Sequence, residues 1–386
     1  MKNYNTLFAQ LLKFFSGYEF KKLVKKHYAE RHARGITSWS HFAALMFCQL
    51  AGQDSLRSIE AGMATQMSNL YHSGAKPLNR SSLSYANNNR PSALFESIFY
   101  WMLSKCQPFA PRHKFRFKNP LYSIDSTVIE LCLSLFEWAK YQKVKGAVRL
   151  HVKLNHSGYL PSFVVLTTGK VSEYTIAPSI PFERGDVVVF DRGYLDFGYL
   201  KSLENKGIYY VTRLKSNSAY KVIERREKTN ENILSDQIIK LTKQWTYKKY
   251  PGKIRRIRVK DPETKKEIVV ITNNFKWAAT TIASIYRDRW QIELFFKAIK
   301  QHLKIKSFIG TSLNALLSQI WTALITYLLL CYIKFKSKFK WSLCSLSNIM
   351  PMNLFSRRNL WDWLNDPYKP KGKGYLDTGQ LVLRFS

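Results

Sequence analysis

The sequence predicts a mixed α/β protein in which a sheet covered by helices follows an all-helical N-terminal region. Three observations carry this. Residues 1 to about 105 hold apolar positions at helical spacing, three β-rich runs follow in quick succession after residue 120, and the chain then alternates strand, helix and strand. The composition suits a folded chain of more than one domain, with 386 residues, 46% of them hydrophobic and 15% aromatic.

In the N-terminal part, "NTLFAQLLKFF", "SHFAALMFCQLAGQ", "SLRSIEAGMATQM" and "SALFESIFYWML" read as helices, with Ser92 as the expected cap of the last. Between the third and fourth lies "KPLNRSSLSYANNNRP", a short polar stretch carrying Arg80 and several asparagines. Short helices leading to such a segment fit a helix-turn-helix-like DNA binder, and Arg80 is its candidate DNA contact. The spacing would equally suit a plain bundle. "QPFAPRHKFRFKNP", with its prolines and basic residues, reads as a linker.

The β-rich runs are "LYSIDSTVIELCL", "AVRLHVKLNH" and "YLPSFVVLTTG", the last two joined by a turn at Ser157-Gly158. "GDVVVFDRGY" is a short apolar strand ending in an aspartate, "LDFGYLKSLENKG" a helix stopped by Gly207, and "IYYVTRLK" another strand. Residues 216 to about 265 form a polar, lysine-rich interlude without a clear core, after which "KEIVVITNNF" restores the strand pattern. The expected division is a helical DNA-binding region (1–106), a linker (107–120), a core in two parts (121–215 and 267–335) around an insertion (216–266), and a C-terminal tail (336–386).

Charge is the loudest bulk signal. Sixty-one Lys and Arg against 26 Asp and Glu give +35, which calls for a polyanionic partner, nucleic acid before a membrane surface. Five scattered cysteines without zinc-finger spacing read as buried thiols in a reducing compartment, and no signal-peptide pattern opens the chain. The expectation is a cytoplasmic protein. "LNALLSQIWTALITYLLLCYIKFK" is just long enough to span a bilayer, but Asn314, Ser318, Gln319 and Thr322 interrupt it, so it reads as a core helix and no membrane partner is expected.

Against this charge, three acids stand out. Asp125 lies inside "YSIDSTVI", where a carboxylate in a central strand is costly unless satisfied. Asp191 lies at the carboxyl end of "VVVF", where open α/β sheets place their ligands. Glu293 is the lone acid in the charged stripe of "YRDRWQIELFFKAIK". On one continuous helix, Tyr286, Arg289, Glu293, Lys297 and Lys300 fall within about 80° of each other, while Ile285, Trp290, Ile292, Leu294, Phe295, Phe296 and Ile299 cover most of the rest, so the helix is expected to be largely buried. Singly, the acids could be a strand-end residue, a turn cap and half of a four-residue-spaced ion pair. Together they suit oxygen ligation of two divalent cations roughly 4 Å apart, able to activate a water or 3′-hydroxyl for attack on a phosphodiester. Mg²⁺ is the expected pair of ions, with Mn²⁺ as substitute. Arg289, Lys297 and Lys300 would then meet phosphates beside Glu293, and Arg192 beside Asp191.

The spacing of Tyr286, Arg289, Glu293 and Lys300 resembles the Y-R-E-K signature of the insertion-sequence-four family of DDE transposases. "YSIDSTVIEL" and "VVVFDRGYLD" are similar to that family's first and second aspartate motifs. The resemblance implies an RNase H-like catalytic core with a β-rich insertion before the glutamate, and Asp125, Asp191 and Glu293 as catalytic triad. It implies contacts of Tyr286, Arg289 and Lys300 with transposon-end DNA, cut-and-paste transposition through a hairpin, and joining to target DNA. The insertion in relatives helps hold a flipped base against an aromatic ring; Trp245 or Tyr247 could serve, or be ordinary surface aromatics. About 50 residues follow the apolar helix, so synapsis of a homodimer is expected to use surfaces other than a large C-terminal domain; within them "LFSRRNLWDWLN" and "KPKGKGY" are either DNA contacts or a solvated basic tail. The alternatives are a transposase-derived DNA binder that no longer cuts, which would be expected to lack a triad acid, and an RNase H-like nuclease or resolvase, which leaves the signature spacing a coincidence.

Overall fold

The computed structural model of the chain describes residues 4–15, 17–31, 33, 35–131, 146–228, 230–261, 265–303 and 308–368. The helical region comprises α1 (Leu7–Leu12), α2 (Tyr18–Lys26), α3 (Ser38–Leu50), α4 (Leu56–Thr65), α5 (Met67–Leu70), α6 (Arg80–Asn89) and α7 (Ser92–Cys106). Side chains of Thr6, Thr37, Ser55 and Asn79 start α1, α3, α4 and α6 by accepting an amide of the first turn. At α7 the expected cap is displaced by one residue. Pro91 holds the cap position, and the Ser92 amide donates instead to Asn314 Oδ1 at 3.0 Å.

The strands are β1 (Leu121–Leu131), β2 (Gly146–Asn155), β3 (Leu160–Thr168), β4 (Val187–Val189), β5 (Tyr209–Arg213), β6 (Tyr220–Arg226), β7 (Ile233–Leu241), β8 (Ile254–Lys260) and β9 (Glu267–Thr272). They form one nine-stranded sheet in the order β3-β2-β1-β4-β5-β9-β8-β7-β6. β1, β2 and β3 pair antiparallel, and β4 and β5 run parallel to β1. Three antiparallel strands followed by two parallel ones are the RNase H-like arrangement. β9 turns antiparallel to β5, and β8, β7 and β6 carry the sheet onward.

The polar interlude therefore has a buried face after all. Ile233, Ile239, Leu241, Ile254 and Ile257 are fully or almost fully buried. Arginines mask the pattern, because β8 reads "IRRIRVK" while Arg255 is itself buried in a two-pronged bond to Asp236, at 2.9 and 2.6 Å.

The remaining helices are α8 (Glu173–Ile176), α9 (Phe197–Asn205), α10 (Gln244–Lys249), α11 (Ala279–Asp288), α12 (Gln291–His302), α13 (Leu313–Lys336), α14 (Leu343–Asn353) and α15 (Leu360–Asn365). α9 packs with Val188, Phe190, Tyr210 and Ile271 on one face of the sheet. α11 packs with Val187, Val189, Val211 and Val270 on the other. The alternation along β4 thus feeds two cores. A third core runs from Leu7 to Leu364 and unites the N-terminal helices with α12, α13, α14, α15 and the sheet residues Leu150 and Val152.

α13 is the spine of that third core. It is long and apolar enough to cross a membrane, yet 89% of its most apolar window is buried inside the protein. Its polar residues have local employment. Asn314 donates to the carbonyls of Asn87 and Arg90 at 2.8 and 2.7 Å, closing the end of α6 while receiving the first amide of α7. Gln319 accepts the Ile309 amide at 2.9 Å, and Thr322 donates to the Ser318 carbonyl at 2.7 Å. α1 also meets the segment after α14, since the amides of Leu7 and Phe8 donate to the carbonyls of Ser356 and Leu354. "LFSRRNLWDWLN" is accordingly part of the helical body, whereas "KPKGKGY" lies outside the described residues.

Two smaller expectations need correction. Cys48, Cys106 and Cys331 are buried but Cys344 is exposed on α14, and Cys132 lies outside the described residues. The stretch 107–120 is packed rather than loose, because Phe117 stacks on Trp277 with ring centroids 4.2 Å apart and Phe115 stacks on Phe117.

Asn314→Leu should remove three hydrogen bonds at the α6–α7 corner and leave their backbone partners short of mates. The expected loss is roughly 2–3 kcal/mol of stability in denaturant titration. An unchanged midpoint would show that water replaces the amide there.

Candidate active site

β1 and β4 bring the first two acids level. Their parallel register pairs Ser123 with Val189, and each acid stands two residues further along, Asp125 on β1 and Asp191 just past the end of β4. Both therefore stand just past the end of the β1–β4 ladder, Asp125 in mid-strand and Asp191 beyond β4. Asp125 is mostly buried, and burial pushes its carboxyl up to about 7. The Ser126 amide, donating to Oδ1 at 2.8 Å, and Arg289 pull it back in part, whereas Glu173 and Glu293 add to the rise.

Glu293 and its companions sit on two helices rather than one. α11 ends at Asp288 and α12 begins at Gln291. Across the junction the bonds tighten, with the amides of Arg289, Trp290, Ile292 and Glu293 donating to carbonyls three residues back. The continuous buried helix expected from the apolar pattern is thereby broken. Trp290 is 56% exposed and Leu294 44%, so these two apolar side chains are not buried.

The tight turn aims the signature side chains at the aspartates. Tyr286 donates its hydroxyl to Asp191 Oδ1 at 3.2 Å. Burial first, and Asp191 next, push this phenol up to about 12, so it remains a donor at neutral pH. Arg289 reaches two acids at once, donating to Glu293 Oε1 at 2.7 Å and standing 3.6 Å from Asp125 Oδ2. All three carboxylates are thus joined into one patch through Tyr286 and Arg289. The four-residue pairing of Glu293 with Arg289 is real, and Arg289 is shared with a second acid.

The other sequence-derived positions lie around this patch. Lys300 donates to the Val128 carbonyl of β1 at 2.9 Å, placing its ammonium on the strand that carries Asp125. Lys297 is exposed on α12, and Arg192 is exposed one residue after Asp191. Arg80 is exposed at the start of α6, in the helical body. Trp245 is 68% exposed on α10 with Lys249 Nζ over its ring at 4.3 Å, and Tyr247 is exposed beside it. Lys249 in turn pairs with Asp196 at 2.7 Å, five residues past Asp191.

Glu173 was not found by sequence reasoning. Its Oε1 accepts from Ser126 Oγ at 2.7 Å and from Arg149 at 3.3 Å, beside Asp125. It opens a one-turn helix in a polar stretch, so no periodicity or spacing marks it. The carboxylates offer only oxygen donors, the chemistry that suits a hard divalent ion, and a buried carboxylate with a raised pKa is short of positive charge. The residues fit such an ion by donor type. In the conformation described, the cation between Asp125 and Glu293 is Arg289, and among the described residues no three His, Cys, Asp or Glu side chains group closely enough to hold a metal.

Comparison with known proteins gives the family of the chain. Residues 116–329 match the family described as transposase DDE domain, and residues 3–76 match a domain of unknown function. A Sinorhizobium fredii protein given the name of a transposase, y4zB, is 33% identical over 285 residues, covering 72% of this chain and 78% of its own length. A Geobacillus stearothermophilus protein, named as the probable transposase of insertion sequence element IS5377, is 30% identical over 278 residues, covering 71% of this chain and 72% of its own. Among solved structures, a piggyBac transposase synaptic complex with hairpin DNA aligns with 96% of this chain and 83% of its own, at TM-score 0.47 and 10% identity. With the domain match spanning both aspartates, the tight turn and Glu293, the chain belongs to the DDE transposases, enzymes that cleave and join DNA strands.

Proposed function

We propose that this chain is the transposase of a bacterial insertion sequence, acting as a homodimer on double-stranded DNA at terminal inverted repeats and at a target. Asp125, Asp191 and Glu293 are its catalytic acids, and the reaction is cut-and-paste through a hairpin intermediate. The single observation that supports this most is the level placement of Asp125 and Asp191 on adjacent parallel strands, both tied through Tyr286 and Arg289 to the turn that carries Glu293.

The three carboxylates would hold Mg²⁺ or Mn²⁺, which when bound supplies Lewis-acid activation of the attacking oxygen and charge stabilisation at the leaving oxygen. Arg289, Lys297, Lys300 and Arg192 face phosphates around the acids. Tyr286 keeps its proton and orients Asp191. Residues 1–106, with Arg80 on α6, grip the repeat outside the cleavage site, and the insertion 216–266 flanks it through Trp245 and Tyr247. A protein working on the nucleoid in the cytoplasm, without a membrane partner, fits the excess of positive charge.

Asp125→Asn, Asp191→Asn or Glu293→Gln should each slow strand cleavage of repeat-end DNA by about a thousandfold or more, since several kcal/mol of charge stabilisation is withdrawn. Binding to the same DNA should stay within a few-fold. A variant cutting at the parental rate would remove its residue from the triad.

Asp125→Asn has a second signature in metal-free protein. The folded carboxyl titrates at about 7 and the unfolded one near its ordinary value, so the folded state binds the extra proton between those pH values. Stability from this group is therefore present at low pH and lost as pH rises to 7. The asparagine should raise the melting temperature at pH 8 and leave it nearly unchanged at pH 4. An equal shift at both would mean that the carboxyl is not desolvated.

Lys297→Ala should reduce the slope of log affinity against log salt by about 0.9, one phosphate contact. An unchanged slope would take Lys297 off the DNA face.

A further inference from the structure

A second constellation lies beside the carboxylate patch. Ser123 Oγ is 2.6 Å from His156 Nε2, and His156 Nδ1 is 2.7 Å from Asp288 Oδ2. Lys114 Nζ is 2.6 Å from Asp288 Oδ1, and the Tyr159 hydroxyl is 3.5 Å from Oδ2. The order serine, histidine, aspartate is that of a nucleophilic triad. Here it is sealed, with Ser123 0%, His156 1% and Asp288 4% exposed, so no substrate carbonyl can reach the hydroxyl.

The proton positions follow from the partners. Burial alone would raise the Asp288 carboxyl, but the bonds from His156 and Lys114 hold it below the usual carboxylate range. Burial lowers His156, which stays neutral. The imidazole therefore carries its proton on Nδ1, donates to Asp288, and accepts from the Ser123 hydroxyl at Nε2. The Lys114 charge offsets the buried carboxylate.

Where the ends of this chain of bonds attach decides what it can do. Ser123 is the β1 residue paired with Val189 at the end of the β1–β4 ladder, two residues before Asp125. His156 is pinned to the same strand by its own amide, which donates to the Leu121 carbonyl at 2.9 Å. Asp288 is the last residue of α11, between Tyr286 and Arg289. The geometry points to Ser123, His156 and Asp288, completed by Lys114, as positioning residues that fix the Tyr286–Arg289 turn against the strand of Asp125. Without them, the two side chains that join the three acids would lose their common reference. This rests on the catalytic reading given above.

Asp288→Asn is nearly isosteric, but it offers one acceptor to two donors: with its oxygen on His156 its NH2 faces the Lys114 ammonium, and with its NH2 on His156 the ring must take the other tautomer, which deprives Ser123 of its acceptor. Three measurements on the full chain test the proposal. Single-turnover cleavage of repeat-end DNA should fall by about 10- to 100-fold, the penalty of sub-ångström to ångström misplacement. Affinity for that DNA should stay within about threefold by the same argument, since the surface contacts remain. Amide hydrogen exchange in metal-free protein should quicken by about tenfold over residues 286–293 while β4 and β5 keep their protection.

His156→Ala should behave likewise, and His156→Asn, whose amide can still donate to Asp288, should recover most of the rate. If Asp288→Asn fails to fold, Lys114→Ala, whose side chain is largely exposed, reads the same effects at smaller size. Parental cleavage with parental exchange in folded Asp288→Asn or Lys114→Ala overturns the proposal. If the parent itself cuts no repeat-end DNA, the catalytic reading fails, and the exchange pattern alone still decides whether the turn is held by this relay.

Discussion

A carboxylate kept inside a sheet, with its pKa pushed up to about 7, is a standing free-energy cost, and much of the surrounding structure is arranged around it. Solvent relieves Asp125 only in part, since its side chain is 20% exposed and its strand is paired with β2. Relief comes from Arg289, which is half-committed to Glu293. One guanidinium is thus shared by two acids, while Glu173 is paired with Arg149. In a chain of +35 such a gathering of acids persists only because the fold enforces it.

Enforcement depends on the break between α11 and α12. Through three-residue bonds between Arg289 and Glu293 the chain passes from α11 to α12, with Tyr286 meeting Asp191 while Arg289 meets Asp125. The exposed Trp290 and Leu294 are the visible consequence, being apolar side chains turned out so that charged ones can turn in.

Much of this was legible in the sequence. Asp125 showed itself because carboxylates are rare among β-branched neighbours, Asp191 because an apolar strand ended on it, and Glu293 because its partners recur at helical spacing. The five core strands and the burial of α13 followed from periodicity and from the polar residues that interrupt the apolar run. The break at Arg289 was hidden, since an outward-facing tryptophan has the same hydropathy as a buried one. The buried face of 216–266 was hidden by arginines whose partners, Asp236 and Gln237, lie on another strand. Glu173 and the Ser123–His156–Asp288 chain were hidden because their members are far apart in sequence, 132 residues between His156 and Asp288. Only the folded sheet brings such residues together.

The position of the site follows from how the hydrophobic cores are divided. α11 belongs to the core on one face of the sheet, through Ala279, Ile282, Ile285 and Tyr286, whereas α12 belongs to the helical core through Ile292, Phe295, Phe296 and Ile299. The chain changes cores at Arg289 and Trp290. β1 crosses the same boundary, since Leu121 lies in the first of these cores, Ile124 in the core on the opposite face, and Ile129 and Leu131 in the helical one. Asp125 stands between Ile124 and Ile129, at the seam. Inside any one core a carboxylate would be buried without access, and on the outer surface it would be solvated and inert. The seam gives partial desolvation together with an opening, and it is rigid because packed cores bear on it from each side.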